Sequence, residues 1–259
     1  MSKTIYIGDI HGRDVWGEIV AKHDDADNIV FIGDYFDSFD IPAVIQLDNV
    51  KKIVEYKIKR EKDSTKKVYL LIGNHNTHYW PGIKGRGSTA GFQETMSFQY
   101  EHFFRENRDN FQMSVLIGNR LCTHAGVGND FLKSVGFWKM DSADESIISD
   151  YLNDLFHYKP NEFTFDGSYD RNNTGVIPSY YGDDDWQSPI WIRPRSLQRV
   201  NKKTDLKKNY IQIVGHTQQD HIDIKGKTTG GKYYYIDTLP SGEYLIDADG
   251  EFEIGYATI

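Results

Sequence analysis

The 259-residue chain holds a single cysteine, Cys122, so no disulfide can form within it and a reducing compartment suits it. It has no apolar run of about 18 residues, the length that would suggest a membrane span. Met1-Ser2-Lys3 leads directly into a strand-like run without a signal-peptide core, so a cytoplasmic location is expected. Positive charge is in deficit. Lys and Arg number 30 against 38 Asp and Glu, a net −8, which argues against dedicated nucleic-acid binding or attachment to an anionic membrane. Internal repeats and a linker that would separate domains are also lacking. Aromatic residues, by contrast, are plentiful at 14%, and the 39% hydrophobic content with a mean hydropathy of −0.59 fits a globular core.

Short β-branched runs at Thr4–Ile7, Asn28–Ile32 and Val68–Ile72 predict buried strands. Apolar spacing over Asp14–Lys22, and from Pro42 to about Arg60, predicts helices between them. The result is a βαβαβ unit with parallel strands and right-handed crossovers. Gln93–Asn107 and Ser142–Tyr158 read as further helices, and Ser114–Ile117 with Arg120–Thr123 as a hairpin about Gly118-Asn119. Tyr210–Val214 adds a strand. Tyr233–Asp237, Tyr244–Asp247 and Phe252–Tyr256 alternate like a closing antiparallel meander. The expected class is α/β, one domain over 1–259, with a lid or insertion at about 141–190 where periodicity fades.

Five apolar runs end in turns that carry a possible metal ligand: Gly8-Asp9-Ile10-His11-Gly12, Gly33-Asp34-Tyr35-Phe36-Asp37, Gly73-Asn74-His75-Asn76, Thr123-His124-Ala125-Gly126 and Gly215-His216-Thr217. Strands of one sheet core would bring these turns together, because open α/β sheets place ligands at their carboxyl edge. Asp9, His11 and Asp34 could hold one divalent cation, and Asp34, Asn74, His124 and His216 a second, with Asp34 shared. Two such cations sit about 3.5–4 Å apart and yield a bridging hydroxide for in-line attack on phosphorus. His75 would then protonate the leaving oxygen, while Asp37 fixes its tautomer. Arg193 and Arg195 are candidate phosphate anchors, since a guanidinium fork matches phosphate geometry. Manganese, iron and zinc suit the mixed nitrogen and oxygen donors; magnesium suits them less.

The ordered set GDIHG, GDYFD, GNHN, THAG and VGHT resembles the calcineurin-like metallophosphoesterases, and more narrowly the phosphoprotein phosphatase superfamily with its bacterial and phage members. The resemblance spans nearly the whole chain. It implies a four-layer α/β/β/α sandwich of two mixed sheets with two metals at the strand ends. It also implies that Asp9, His11, Asp34, Asn74, His124 and His216 are metal ligands, that Asp37 and His75 are the catalytic pair, and that Arg193 belongs to a WxR element. Two positions depart from the family pattern. Ser38 stands where a phosphate-binding arginine is usual, and Asn76 where an acidic residue is usual; Arg195, Lys84 or Arg86 could compensate. Gln218 replaces the final histidine of the nuclease-like and cyclic-nucleotide branch, which favours the phosphatase side.

The expected function is metal-dependent hydrolysis of phosphate monoesters in phosphorylated proteins or small molecules. A nucleotide pyrophosphohydrolase, such as a dinucleoside tetraphosphate hydrolase, is the enzymatic alternative, since the aromatic segment Tyr158–Trp191 could stack a base. A non-catalytic phosphate- or partner-binding scaffold is the alternative of another class, suggested by the arginine missing at Ser38.

Overall fold

Strands β1 (Lys3–Ile7), β2 (Asn28–Phe31) and β3 (Lys67–Leu71) are apolar on both faces, and a strand of that kind must be covered on both sides. The computed structural model describes residues 2–83, 90–140, 144–165, 184–202, 210–227 and 229–259. In it, one face of these strands (Ile5, Ile7, Ile29, Phe31, Leu70) packs beneath helices α1 (Trp16–Lys22) and α2 (Ala43–Arg60). The opposite face (Tyr6, Val30, Leu71) packs against Val115, Cys122 and Ile213 of a second sheet. The period of two along each strand sorts the residues between the two cores.

The first sheet runs β10-β9-β1-β2-β3-β4, with β4 at Phe111–Gln112, β9 at Glu243–Ala248 and β10 at Glu251–Tyr256. β1 to β4 are parallel, while β9 lies antiparallel to both β1 and β10. The second sheet runs β5-β6-β7-β8, from Ser114–Ile117 through Arg120–Thr123 and Ile211–Val214 to Tyr233–Tyr235. β5 and β6 form the expected hairpin, with Ile117 opposite Arg120 and Gly118 at positive φ in the turn. The remaining described helices are the single turn α3 (Asn74–Thr77), α4 (Ser97–Asn107), α5 (Asn129–Ser134), α6 (Ile148–Tyr158) and α7 (Pro194–Lys202). Two mixed sheets flanked by helices match the expected fold class. Among the described residues, no helix is long and apolar enough to cross a membrane.

Two elements differ from expectation. Only half of the closing meander forms: β8 joins the second sheet, parallel to β7, and leaves β9 and β10 as the hairpin. Alternation in Tyr233–Tyr235 serves either sheet equally. The outcome is set where Ile236 N donates to Val214 O at 2.7 Å and the chain then passes tightly over Gly8, where a Cβ would overlap the Ile236 carbonyl. The helix expected from Ser142 begins only at Ile148, because Asp144 turns the chain by accepting from Ser146 N at 2.7 Å. Of the expected lid, residues 141–143 and 166–183 lie outside the described residues. α6 buries Ile148, Leu152 and Phe156, and its Asn153 accepts from the backbone of Met113 and Ser114 beside β5.

Much of the aromatic content forms one cluster. Phe36 stacks on Tyr100 at 3.8 Å between centroids, and fully buried Phe104 meets Phe36, Trp80, Phe103 and Phe111. This cluster underlies the turn that carries Asp37. Replacing Phe104 by Ala is expected to cost about 3–5 kcal/mol of unfolding free energy, read by urea denaturation. A loss below about 1 kcal/mol would show that the cluster is not a stability centre.

Candidate metal centre

Because β1, β2 and β3 are parallel, the turns at their carboxyl ends lie side by side. Backbone hydrogen bonds lace the first two turns together: Ile10 N to Gly33 O at 3.3 Å, His11 N to Asp34 O at 2.6 Å and Gly12 N to Tyr35 O at 3.0 Å. Asn76 Oδ1 ties in the third by accepting from Asp34 N and Gly73 N, both at 2.9 Å. Gly215 N donates to His124 O at 2.8 Å and joins the two turns of the second sheet.

His11, Asp34, Asp37 and His216 all adopt left-handed backbone, with φ of 42°, 48°, 68° and 66°. Each such non-glycine residue costs about 1–3 kcal/mol and persists only where its surroundings impose it. The neighbouring glycines are needed for closeness. A Cβ on Gly73 would overlap Asp34 Oδ1, and one on Gly215 would overlap Asp9 Oδ1.

Asp34 sits at the middle. Its Oδ1 accepts from His75 N at 3.0 Å, while Oδ2 lies 3.8 Å from His11 Nε2 and 3.2 Å from His124 Nε2. Asp9 Oδ2 accepts from His216 N at 3.0 Å, but the buried Asp9 Oδ1 has no hydrogen-bond partner. Ligand atoms of Asp9, His11 and Asp34 lie within 4.8 Å of one another. Three histidines are each oriented by a backbone carbonyl: His11 Nδ1 to Phe36 O at 2.6 Å, His124 Nδ1 to Ile32 O at 3.0 Å and His216 Nε2 to Trp191 O at 3.1 Å. A carbonyl only accepts, so the hydrogen sits on that nitrogen and the other offers a lone pair. The free nitrogens of His124 and His216 both lie 2.9 Å from Asn74 Oδ1. Inward lone pairs, a shared carboxylate and an orphaned carboxylate oxygen fit a divalent cation.

Electrostatics agree. Burial opposes ionisation of Asp34, but His124, His75 and His11 outweigh it and hold the carboxyl well below the usual range. Burial, then Asp237 and Asp34, drives Asp9 well above it. Burial lowers His11 to about 4 and takes His216 well below its ordinary value, so both rings are neutral donors at pH 7.

At the edge of this cluster His75 Nδ1 pairs with Asp37 Oδ2 at 2.9 Å, and Tyr79 donates to Asp37 Oδ1 at 2.5 Å. The side chains of His11 and His75 keep 22% and 19% of their surface exposed while those of Asp34, Asp37 and His124 keep 2% or less, so the centre opens on the His11–His75 side.

A family model described as calcineurin-like phosphoesterase matches residues 2–220. The chain belongs to that family. It is therefore a metal-dependent phosphoric ester hydrolase, and its family's divalent metals have a matching donor set here in Asp9, His11 and Asp34. No curated protein matches the sequence. Among solved structures, the crystal structure of a metallophosphoesterase from Sphaerobacter thermophilus is similar over 100% of this chain and 88% of that one, at 11% identity and a TM-score of 0.41.

Within this phosphoesterase, all six expected ligands and the His75–Asp37 pair come together. Arg193 also reaches the site, donating to His216 O and Thr217 Oγ1 at 3.1 Å. Arg195 is exposed on the first turn of α7, with no hydrogen bond or ion pair to the centre. Lys84 and Arg86 lie outside the described residues. Sequence reasoning missed Asp237, which is 8% exposed and follows β8 as Asp9 follows β1. Burial and then Asp34 raise its carboxyl to about 6. The signal is present, an apolar run ending in Asp, but alternation alone makes that Asp the end of a strand. Gly73→Ala should displace the Asp34 carboxylate and weaken manganese binding about 10–100-fold by calorimetry, with the far-UV spectrum retained. Unchanged affinity would show that Asp34 is not a ligand.

Proposed function

We propose that the protein is a dinuclear metallophosphatase, on the phosphoprotein-phosphatase side of its family, that hydrolyses phosphate monoesters of proteins or small molecules. The observation that carries this reading is the position of Asp34 Oδ2 between His11 and His124, with the His75–Asp37 pair at the mouth of the same cluster. Asp9, His11 and Asp34 would hold one cation, and Asp34, Asn74, His124 and His216 the other. Manganese, iron or zinc fits these donors best. When bound, such a pair neutralises phosphate charge and activates water for in-line attack.

The protein's own groups do the rest. His75, whose side chain keeps 19% of its surface exposed, donates a proton from Nε2 to the departing oxygen, and Asp37 holds the hydrogen on Nδ1. Tyr79 occupies the other Asp37 oxygen, so the carboxylate cannot turn away. Arg193 supplies positive charge beside His216. Gln218 in place of a further histidine supports a phosphatase over a nuclease-like enzyme.

Manganese-loaded protein should hydrolyse p-nitrophenyl phosphate, and His75→Ala should lower kcat about 10²–10⁴-fold. Burial works against a protonated His75, but Asp34 and the Asp37 hydrogen bond outweigh it and raise its pKa. An acid must be protonated to act, so activity falls as pH rises through this pKa. Asp37→Asn removes a raising influence and should move the alkaline limb of kcat to lower pH. Full activity in His75→Ala would contradict the acid role. Metal uptake with no hydrolysis would favour a binding scaffold.

A further inference from the structure

At the position where the family carries a phosphate-binding arginine, Ser38 is buried, with 6% of its surface exposed. Its Oγ accepts from Asp40 N at 3.3 Å and Ile41 N at 3.2 Å, and its backbone is gripped by Gln46. The hydroxyl therefore closes its own turn and does not reach toward substrate. Arg193 remains, but its guanidinium is engaged with His216 O and Thr217. The metal pair would neutralise the phosphate, but with Ser38 turned away Arg193 is the guanidinium left to hold its oxygens by a fork.

We propose that Arg13 is the second phosphate-binding residue, replacing from the first turn the guanidinium absent at Ser38. It stands two residues after His11, the residue at the open side of the centre. Its backbone is fixed at both ends: Arg13 N donates to Ile10 O at 2.9 Å, and Arg13 O accepts from Asn49 Nδ2 at 2.8 Å. Asn49 is itself held by Trp16 Nε1 at 2.8 Å, so α2 and α1 together set where Arg13 starts. Gly12, at φ 76° and pressed on Gln46, makes the turn that separates Arg13 from His11. Arg13 is partly buried, yet no hydrogen bond or ion pair engages its guanidinium among the described residues. The turn that fixes Arg13 is the one that carries His11, whose Nε2 lies 3.8 Å from Asp34 Oδ2, so Arg13 springs from the rim of the centre. A positioned, unpaired guanidinium next to a phosphate site matches a phosphate oxygen fork in charge and shape.

This inference rests on the phosphatase reading, and the test separates the two. Wild type, Arg13→Ala and Arg13→Lys are loaded with manganese. Inorganic phosphate affinity is read by calorimetry, bound metal by elemental analysis, and KM and kcat with p-nitrophenyl phosphate. Arg13→Ala should weaken phosphate binding about 10–100-fold and raise KM, with bound metal unchanged. Arg13→Lys, which keeps the charge and loses the fork, should fall between. Wild-type-like phosphate affinity in Arg13→Ala, with wild type hydrolysing the ester, overturns this inference alone. Loss of metal in both variants makes Arg13 a support of the metal centre and overturns it too. Wild type that binds manganese but neither binds phosphate nor hydrolyses the ester overturns the phosphatase reading and this inference together.

Discussion

The carboxylate of Asp34 is almost wholly removed from water, yet its pKa is held well below the usual carboxylate range. A buried charge of that kind survives only where its surroundings compensate for lost hydration. Within the protein the His75 amide donates to Oδ1, while Oδ2 faces the lone pairs of the His11 and His124 rings, an arrangement that a bound cation would complete. Asn76 clamps the Asp34 amide, and His11 donates its own amide to the Asp34 carbonyl. Both sheets thus contribute to one residue, and the inter-sheet core of Tyr6, Val30, Leu71 and Cys122 serves to keep those contributions in register.

Both departures from the family pattern are engaged in hydrogen bonds within the turns. Asn76 does not brace a distant arginine; it hydrogen-bonds to the backbone of Gly73 and Asp34. Ser38 turns its hydroxyl onto its own loop, where Gln46 of α2 secures it. Both residues stiffen the turns around Asp34 and Asp37 rather than face substrate. On the proposed reading, phosphate recognition falls to arginines from other turns.

How much could be read from the chain follows from the kind of signal. The βαβαβ core was legible because Ile5, Ile29 and Leu70 recur in buried runs separated by helical spacing, and the hairpin about Gly118 because its turn residues are specific. The convergence of Asp9, Asp34, Asn74, His124 and His216 was legible because every one follows such a run. β8 was placed in the wrong sheet because alternation gives the faces of a strand but not its neighbour. Asp237 escaped for the same reason, since only the sheet assignment turns it toward Asp9 and Asp34. The carbonyl partners of the three histidines could not be read at all, because Phe36, Ile32 and Trp191 contribute backbone oxygens that any residue would offer.

Anomalous diffraction from crystals of the manganese-loaded protein tests the central claim most directly. Two peaks about 3.5–4 Å apart, both within coordination distance of the Asp34 carboxylate, are predicted. A single peak, or two peaks that do not share Asp34, would contradict the account.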